Sequence, residues 1–212
     1  MPIFFQHSIN ECTKLGIWKI EEPESFFLHR VPLKQQVTHP YKRLQHLAGR
    51  LLLPELFEDF PLQEIMIADT KKPFLEDEAY HFSISHCGNF AGAIASSANR
   101  VGVDIEFVSP RLKGISPKFL NDAERKYLEQ WQYMSALHLQ MITIIWSAKE
   151  AIFKWYGAGN VDFRKHMVMD GVIIFGAGGW ITLPFLFKKE EPIALKVHAK
   201  NFNDLILAYV VS

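Results

Sequence analysis

The sequence predicts an α+β fold arranged as two similar halves, each with one main helix and several strands. Three observations carry this. HPYKRLQHLAGRLLLPELF places apolar residues at 44, 47, 48, 51, 52 and 56, the spacing of a helix buried along one face. HFSISHCGNFAGAIAS, residues 81–96, alternates Phe82 and Ile84 with Ser83 and Ser85 and turns at HCGN, as a hairpin does. The second half repeats this grammar, with a long helical stretch around 139–156 followed by strand-like runs. The halves are expected to be 1–98 and 99–212, joined through SSANR, although no repeat is visible at the level of sequence.

Along the chain, SINECTKLGIWKI gives an early strand or amphipathic turn with Trp18 packed inward. In the helix that follows, Pro54 is expected to bend or end it. EIMIA at 64–68 is a strand candidate, and KKPFLEDEAY at 71–80 is a charged connector. VGVDIEFV at 101–108 reads as a strand and FLNDAERKYLEQW as a helix. GVIIFGAGGWITLPFLF, 171–187, carries no charge, but it is just under spanning length and holds four glycines and a proline. A buried hairpin turning at GAGG is the better expectation, and ILAYVV at 206–211 closes the chain as a strand.

The composition, 49% apolar and 22% charged, is that of a soluble globular protein. Basic and acidic side chains balance at 23 each, which argues against a nucleic-acid binder working through bulk charge. Cys12 and Cys87 are the only cysteines, with no metal-binding spacing and no disulfide framework. MPIFFQHSINECTK has too short an apolar run for a signal peptide. No membrane is expected as a partner, and the expected setting is the reducing cytoplasm.

Two stretches carry chemistry. On the VGVDIEFV strand, Asp104 and Glu106 share one face, their Cα atoms about 6.5–7 Å apart, close enough to hold one hard cation between them. Taken alone, such a pair is more often simply solvated. In WSAKEAIFKWYG, residues 146–157, the core stripe is Ile144, Ile145, Ala148, Ala151, Ile152 and Trp155. Glu150 and Lys154 fall on the opposite side, where an i, i+4 pair on a wet surface is worth only ~0.2–0.5 kcal/mol. Trp146 and Phe153 extend apolar surface around to that side, so both charges are expected to look into a cleft or interface. A buried carboxylate there needs a partner, and a metal shared with Asp104 and Glu106 would supply one. His86, expected in a turn just past a strand end, suits a donor to an anion, though a lone turn histidine is more often just exposed. Lys42, Arg43, Lys71 and Lys72 hold phosphates or merely decorate the surface.

Together these pieces resemble the Sfp-type 4′-phosphopantetheinyl transferases. HFSISHCGNF is similar to the family's F-N-I-S-H-S-G block, VGVDIE to its (I/V)-G-(I/V)-D-(I/V)-E block, and WSAKEAIFKWYG to its W-S/T-x-K-E-x-x-x-K block. KKP resembles its G-K-P element, with Lys71 where a glycine often stands. The resemblance covers residues 71–157 and is specific because the second and third blocks occur together. It implies a pseudo-dimer of two α+β halves with coenzyme A in the cleft between them. It implies Mg²⁺ on Asp104, Glu106 and Glu150, a phosphate contact from His86, a pyrophosphate contact from Lys154, and coenzyme A contacts from Lys72 and Arg43. Lys34 is a further basic position of the same kind.

The reaction so implied moves phosphopantetheine from coenzyme A to a serine of an apo acyl or peptidyl carrier protein, releasing adenosine 3′,5′-bisphosphate. Either Glu150 or a metal-bound water it orients takes the serine proton. The protein is expected to act as a monomer. Two alternatives stand beside this: another Mg²⁺-dependent enzyme of phosphate esters, and a non-catalytic binder of coenzyme A or a carrier protein.

Overall fold

The computed structural model describes residues 3–32 and 37–212, so Lys34 lies outside the described residues. The chain divides into two compact units, 1–103 and 104–212. The division falls inside a strand rather than in the SSANR segment. Both units are of mixed helix and sheet.

In the first unit, strands β1 (Ile3–Asn10), β2 (Thr13–Lys19), β5 (His81–Cys87) and β6 (Phe90–Ser96) form an antiparallel sheet of order β1-β2-β6-β5. A short helix, α1 (Glu24–Leu28), precedes the long α2 (Pro40–Leu56). Leu47, Ala48, Leu51, Leu52 and Leu53 are all buried, packing α2 against the sheet, and Trp18 is fully buried beneath Phe26 and Phe27. Pro54 does not end the helix, which runs on to Leu56. The strand expected at 64–68 shrinks to β3 (Met66–Ile67), and the charged connector supplies its partner β4 (Pro73–Phe74).

At Gly49 helix and sheet approach closely. A Cβ there would lie 2.5 Å from Ile84 Cγ2, whereas one on Gly114 would meet nothing within 4 Å. Gly49→Ala is therefore expected to lower stability by about 1 kcal/mol, because overpacking outweighs the gain in helix propensity. Gly114→Ala is expected to be neutral or stabilising. Thermal melts in which both alanines behave alike would refute the close-packing argument.

In the second unit a sheet of order β7-β12-β11-β10-β8 is built from β7 (Val101–Phe107), β8 (Met167–Met169), β10 (Trp180–Phe187), β11 (Ile193–Phe202) and β12 (Leu205–Val211). The helices are α3 (Pro110–Ile115), α4 (Asp122–Leu128) and the 22-residue α5 (Ser135–Tyr156). The whole expected stripe from Ile144 to Trp155 is buried, against Val197, Ala199, Ala208 and Val210 of the sheet. Ile144, Ile145 and Ile152 each contribute roughly 1.5–3 kcal/mol of burial. Gly157, in the left-handed region at φ 74°, ends α5.

The 171–187 hairpin forms around 177–179, but its first strand, β9 (Ile174–Phe175), is short and exposed rather than buried. Among the described residues, no helix is long and apolar enough to cross a membrane.

Candidate active site

The second unit gathers four of the expected residues. Asp104 is buried on β7, and its Oδ1 accepts a 2.7 Å bond from Lys154 Nζ on α5. The face of β7 that carries Asp104 is thus not simply solvated. One turn before Lys154, Glu150 is partly buried. Burial, and then the Asp104 carboxylate, push its carboxyl up to about 7; Lys154 opposes the shift and Glu106 adds to it. Asp104, Glu106 and Glu150 therefore lie within electrostatic reach of one another.

As a donor set they are three carboxylates with excess negative charge, the chemistry a hard cation such as Mg²⁺ takes. Their residue types fit that ion. Their positions are those of a like-charge cluster partly neutralised by Lys154, and among the described residues no group of three or more His, Cys, Asp or Glu side chains is drawn together as a ready metal site.

Glu150 opens into a hollow of about 1110 Å³ within the same unit. Its apolar lining includes Phe119, Trp146, Phe153 and Phe163, and Lys118, Arg164 and His166 bring basic groups. Trp146 and Phe153 were expected on this side. The partners they meet are rings of their own unit: Trp146 lies 4.9 Å from Phe119 and 5.7 Å from Phe163, and Phe153 lies 5.7 Å from Phe163 (ring centroids).

Behind this wall, Lys149 is completely buried. Its ammonium donates to Phe119 O at 2.7 Å, Glu124 Oε2 at 2.7 Å and Phe163 O at 2.9 Å. Burial pushes this ammonium down, and the Glu124 carboxylate opposes that. Sequence reasoning passes over Lys149, yet a signal exists: it sits four residues after Ile145 and three before Ile152, on the buried face.

In the first unit, His86 lies within β5, opposite Ala91, rather than past the strand's end; the turn is made by Gly88 at φ 51°. Its ring stands edge-on to His46, centroids 5.4 Å apart. Lys42, His46 and Arg50 are spaced four residues apart along α2, and His46 is pushed down by burial, Arg50 and Lys42. That basic stripe is legible as an i, i+4, i+8 pattern, but it does not stand out without the fold. Gln45 donates to Gly88 O at 2.7 Å, tying α2 to the β5–β6 turn.

Arg43 points its guanidinium elsewhere: it pairs with Glu24 through two nitrogens, and Nη1 donates to Val37 O at 3.1 Å. The fork expected to bind coenzyme A is thus engaged within the chain. Lys72 is pushed down by burial and by Arg100. Before it, Lys71 adopts φ 67°, in the left-handed region where glycine is most at ease.

Comparison with known proteins identifies the family. Residues 100–210 match the 4'-phosphopantetheinyl transferase superfamily. The 4'-phosphopantetheinyl transferase AcpT of Escherichia coli (strain K12) is 34% identical over 144 residues, covering 63% of this chain and 71% of its own. Enterobactin synthase component D of Salmonella typhi is 31% identical over 116 residues, 53% of this chain and 47% of its own. The L-aminoadipate-semialdehyde dehydrogenase-phosphopantetheinyl transferase of Mus musculus is 29% identical over 130 residues, 53% of this chain and 42% of its own. The chain belongs to the 4'-phosphopantetheinyl transferase superfamily and is an enzyme of that class.

Proposed function

We propose that the protein transfers the 4′-phosphopantetheine group of coenzyme A to a serine of an apo acyl or peptidyl carrier protein. The observation that carries this reading is the Asp104–Lys154 pair within electrostatic reach of Glu150, which itself lines a hollow large enough to admit a substrate segment. The serine oxygen forms a bond to the β-phosphorus of coenzyme A. The bridging P–O bond breaks, and adenosine 3′,5′-bisphosphate leaves with that oxygen.

Glu150 takes the serine proton, directly or through a water it orients; a carboxyl held near neutrality suits that exchange. Lys154 stabilises charge developing on the transferred phosphoryl group. His86 and Lys72 are assigned to the phosphates of coenzyme A. Arg43 reaches them only by leaving Glu24, so the Lys42, His46 and Arg50 stripe is the better source of further basic contacts. Asp104, Glu106 and Glu150 would hold Mg²⁺, which when bound screens charge on the pyrophosphate oxygens.

The carrier protein, in this reading, approaches through the hollow. Trp146, Phe153 and Phe163, each partly exposed, offer apolar contact there with Phe119 buried behind them, while Lys118 and Arg164 suit an acidic surface. The same reading takes the protein as a monomer working in the reducing cytoplasm, where two cysteines without disulfide spacing would stay reduced.

The test is intact-protein mass spectrometry of an apo carrier protein incubated with this protein, coenzyme A and Mg²⁺. A gain of one phosphopantetheinyl group, abolished by chelation, is expected. Coenzyme A binding without any gain across several carriers would instead identify a non-catalytic binder. Phosphate-ester hydrolysis with no carrier present would identify the third class.

A further inference from the structure

We infer that Lys149, neutralised by Glu124, is a positioning residue that sets the walls of the hollow beside Glu150. All three of its N–H bonds are spent, two of them on the carbonyls of Phe119 and Phe163. Those two residues come from separate loops, and both present rings to Trp146 at the hollow. The ammonium is thus a strap between two lining segments.

Glu124 extends the strap. Its Oε2 also accepts from Asn121 N at 3.0 Å, and its Oε1 accepts from Met169 N at 3.0 Å, so the carboxylate fixes the N-terminus of α4 and the end of β8 at once. Asn121 returns the bond, its Oδ1 accepting from Glu124 N at 2.9 Å. A simple structural lysine would need none of this convergence on two lining loops.

The loop after α5 passes through Gly159 at φ 69° and Asn160 at φ 53°. Lys189 Nζ donates to Gly159 O at 2.7 Å and Lys188 N to His166 O at 2.7 Å, which tie its two ends to the segment after β10, whereas Lys149 ties its middle, at Phe163, to Phe119. The sequence neighbours Lys149 and Glu150 therefore act on two sides of one wall. Glu150 faces the hollow, and Lys149 holds the hollow's shape from behind.

This inference rests on the transfer reading above, since the hollow is there taken as the carrier's approach. The experiment compares the full-length protein with the double variant Lys149→Met plus Glu124→Gln, which removes both charges together and so avoids a lone buried ion. Steady-state transfer is measured against carrier concentration. In parallel, hydrogen exchange is followed by mass spectrometry.

The expected result is a rise in KM for the carrier of about tenfold or more, kcat changing by less than about threefold. Exchange should quicken in 117–121 and 161–166 but not in the helix at 139–156. A variant that merely lost folded fraction would lower apparent kcat at unchanged KM. Unchanged exchange in the two loops would overturn the strap, and quickened exchange with KM unmoved would overturn its role in positioning. Absence of transfer by the parent protein would sink the reading beneath, which is a separate failure. Should the double variant not fold, Lys149→Gln plus Glu124→Gln, which likewise leaves no lone charge and keeps a donor and an acceptor at the two positions, is expected to move the same two readouts in the same direction.

Discussion

Glu150→Gln is expected to fold, to gain stability at neutral pH, and to lose transfer by at least about 100-fold, the scale of a removed general base. The two halves of this expectation have one cause. Burial and the neighbouring Asp104 and Glu106 carboxylates raise the Glu150 carboxyl from 4.5 to about 7, against the opposing pull of Lys154. An acid whose folded pKa lies above its unfolded value binds its proton more tightly in the fold, so stability falls as pH rises between those two values. Below about pH 4.5 the group carries its proton in both states and there is no penalty; above about pH 7 the penalty is complete. The amide of the variant never ionises. The stability gap between variant and parent should therefore open from near zero at pH 4.5 to as much as about 3 kcal/mol at pH 8. Denaturant melts with chelator present read this directly. Transfer close to that of the parent would remove Glu150 from the chemistry, and a gap independent of pH would remove the like-charge cluster.

Lys149→Met made alone should have the largest effect on stability. It leaves Glu124, only 1% exposed, without its counter-charge, and strips a donor from two buried carbonyls. Breaking one partner of a buried pair costs about 3–5 kcal/mol, a large share of the roughly 5–15 kcal/mol that holds a domain together. Acid should relieve the loss in part. A lone buried carboxylate has its pKa raised by burial, so the folded variant takes up a proton before the unfolded chain does, and the deficit shrinks as pH falls. Urea midpoints at pH 8 and pH 5 check both points. A midpoint within about 1 kcal/mol of the parent at pH 8 would show that the pair is not a determinant of the fold.

Periodicity read the skeleton of both units because their main helices and the 81–96 hairpin carry a regular apolar repeat, although burial runs beyond it: Ser83 and Ser85 are buried along with Phe82, and residues 91–96 are buried on both faces. Leu47, Leu51 and Leu52 in α2 and Ile145, Ala148 and Ile152 in α5 are buried as their spacing demands. The strand β11 escapes such a reading although Leu195, Val197 and Ala199 alternate inward. Lys196, His198 and Lys200 between them give the run the polarity of a loop, and only pairing with β10 and β12 makes it a central strand.

The site divides in the same way. Glu150 shares its side of α5 with the rings of Trp146 and Phe153, and that information is local. The Glu24 partner of Arg43 and the Glu124 partner of Lys149 lie 19 and 25 residues away. No local pattern announces which carboxylate will meet which cation. His86 reads as a turn residue because Cys87 and Gly88 follow it, but the ladder opposite Ala91 carries it into the strand.

The several duties of Glu124 bear on how this family member can change over time. One carboxylate caps α4, neutralises Lys149 and anchors Met169. An amide offers one acceptor oxygen and no charge, and aspartate is shorter, so a one-step replacement at 124 is expected to leave at least one of the three tasks undone. Positions 121, 124 and 149 are therefore expected to change together among relatives, as a unit of inheritance rather than three independent letters.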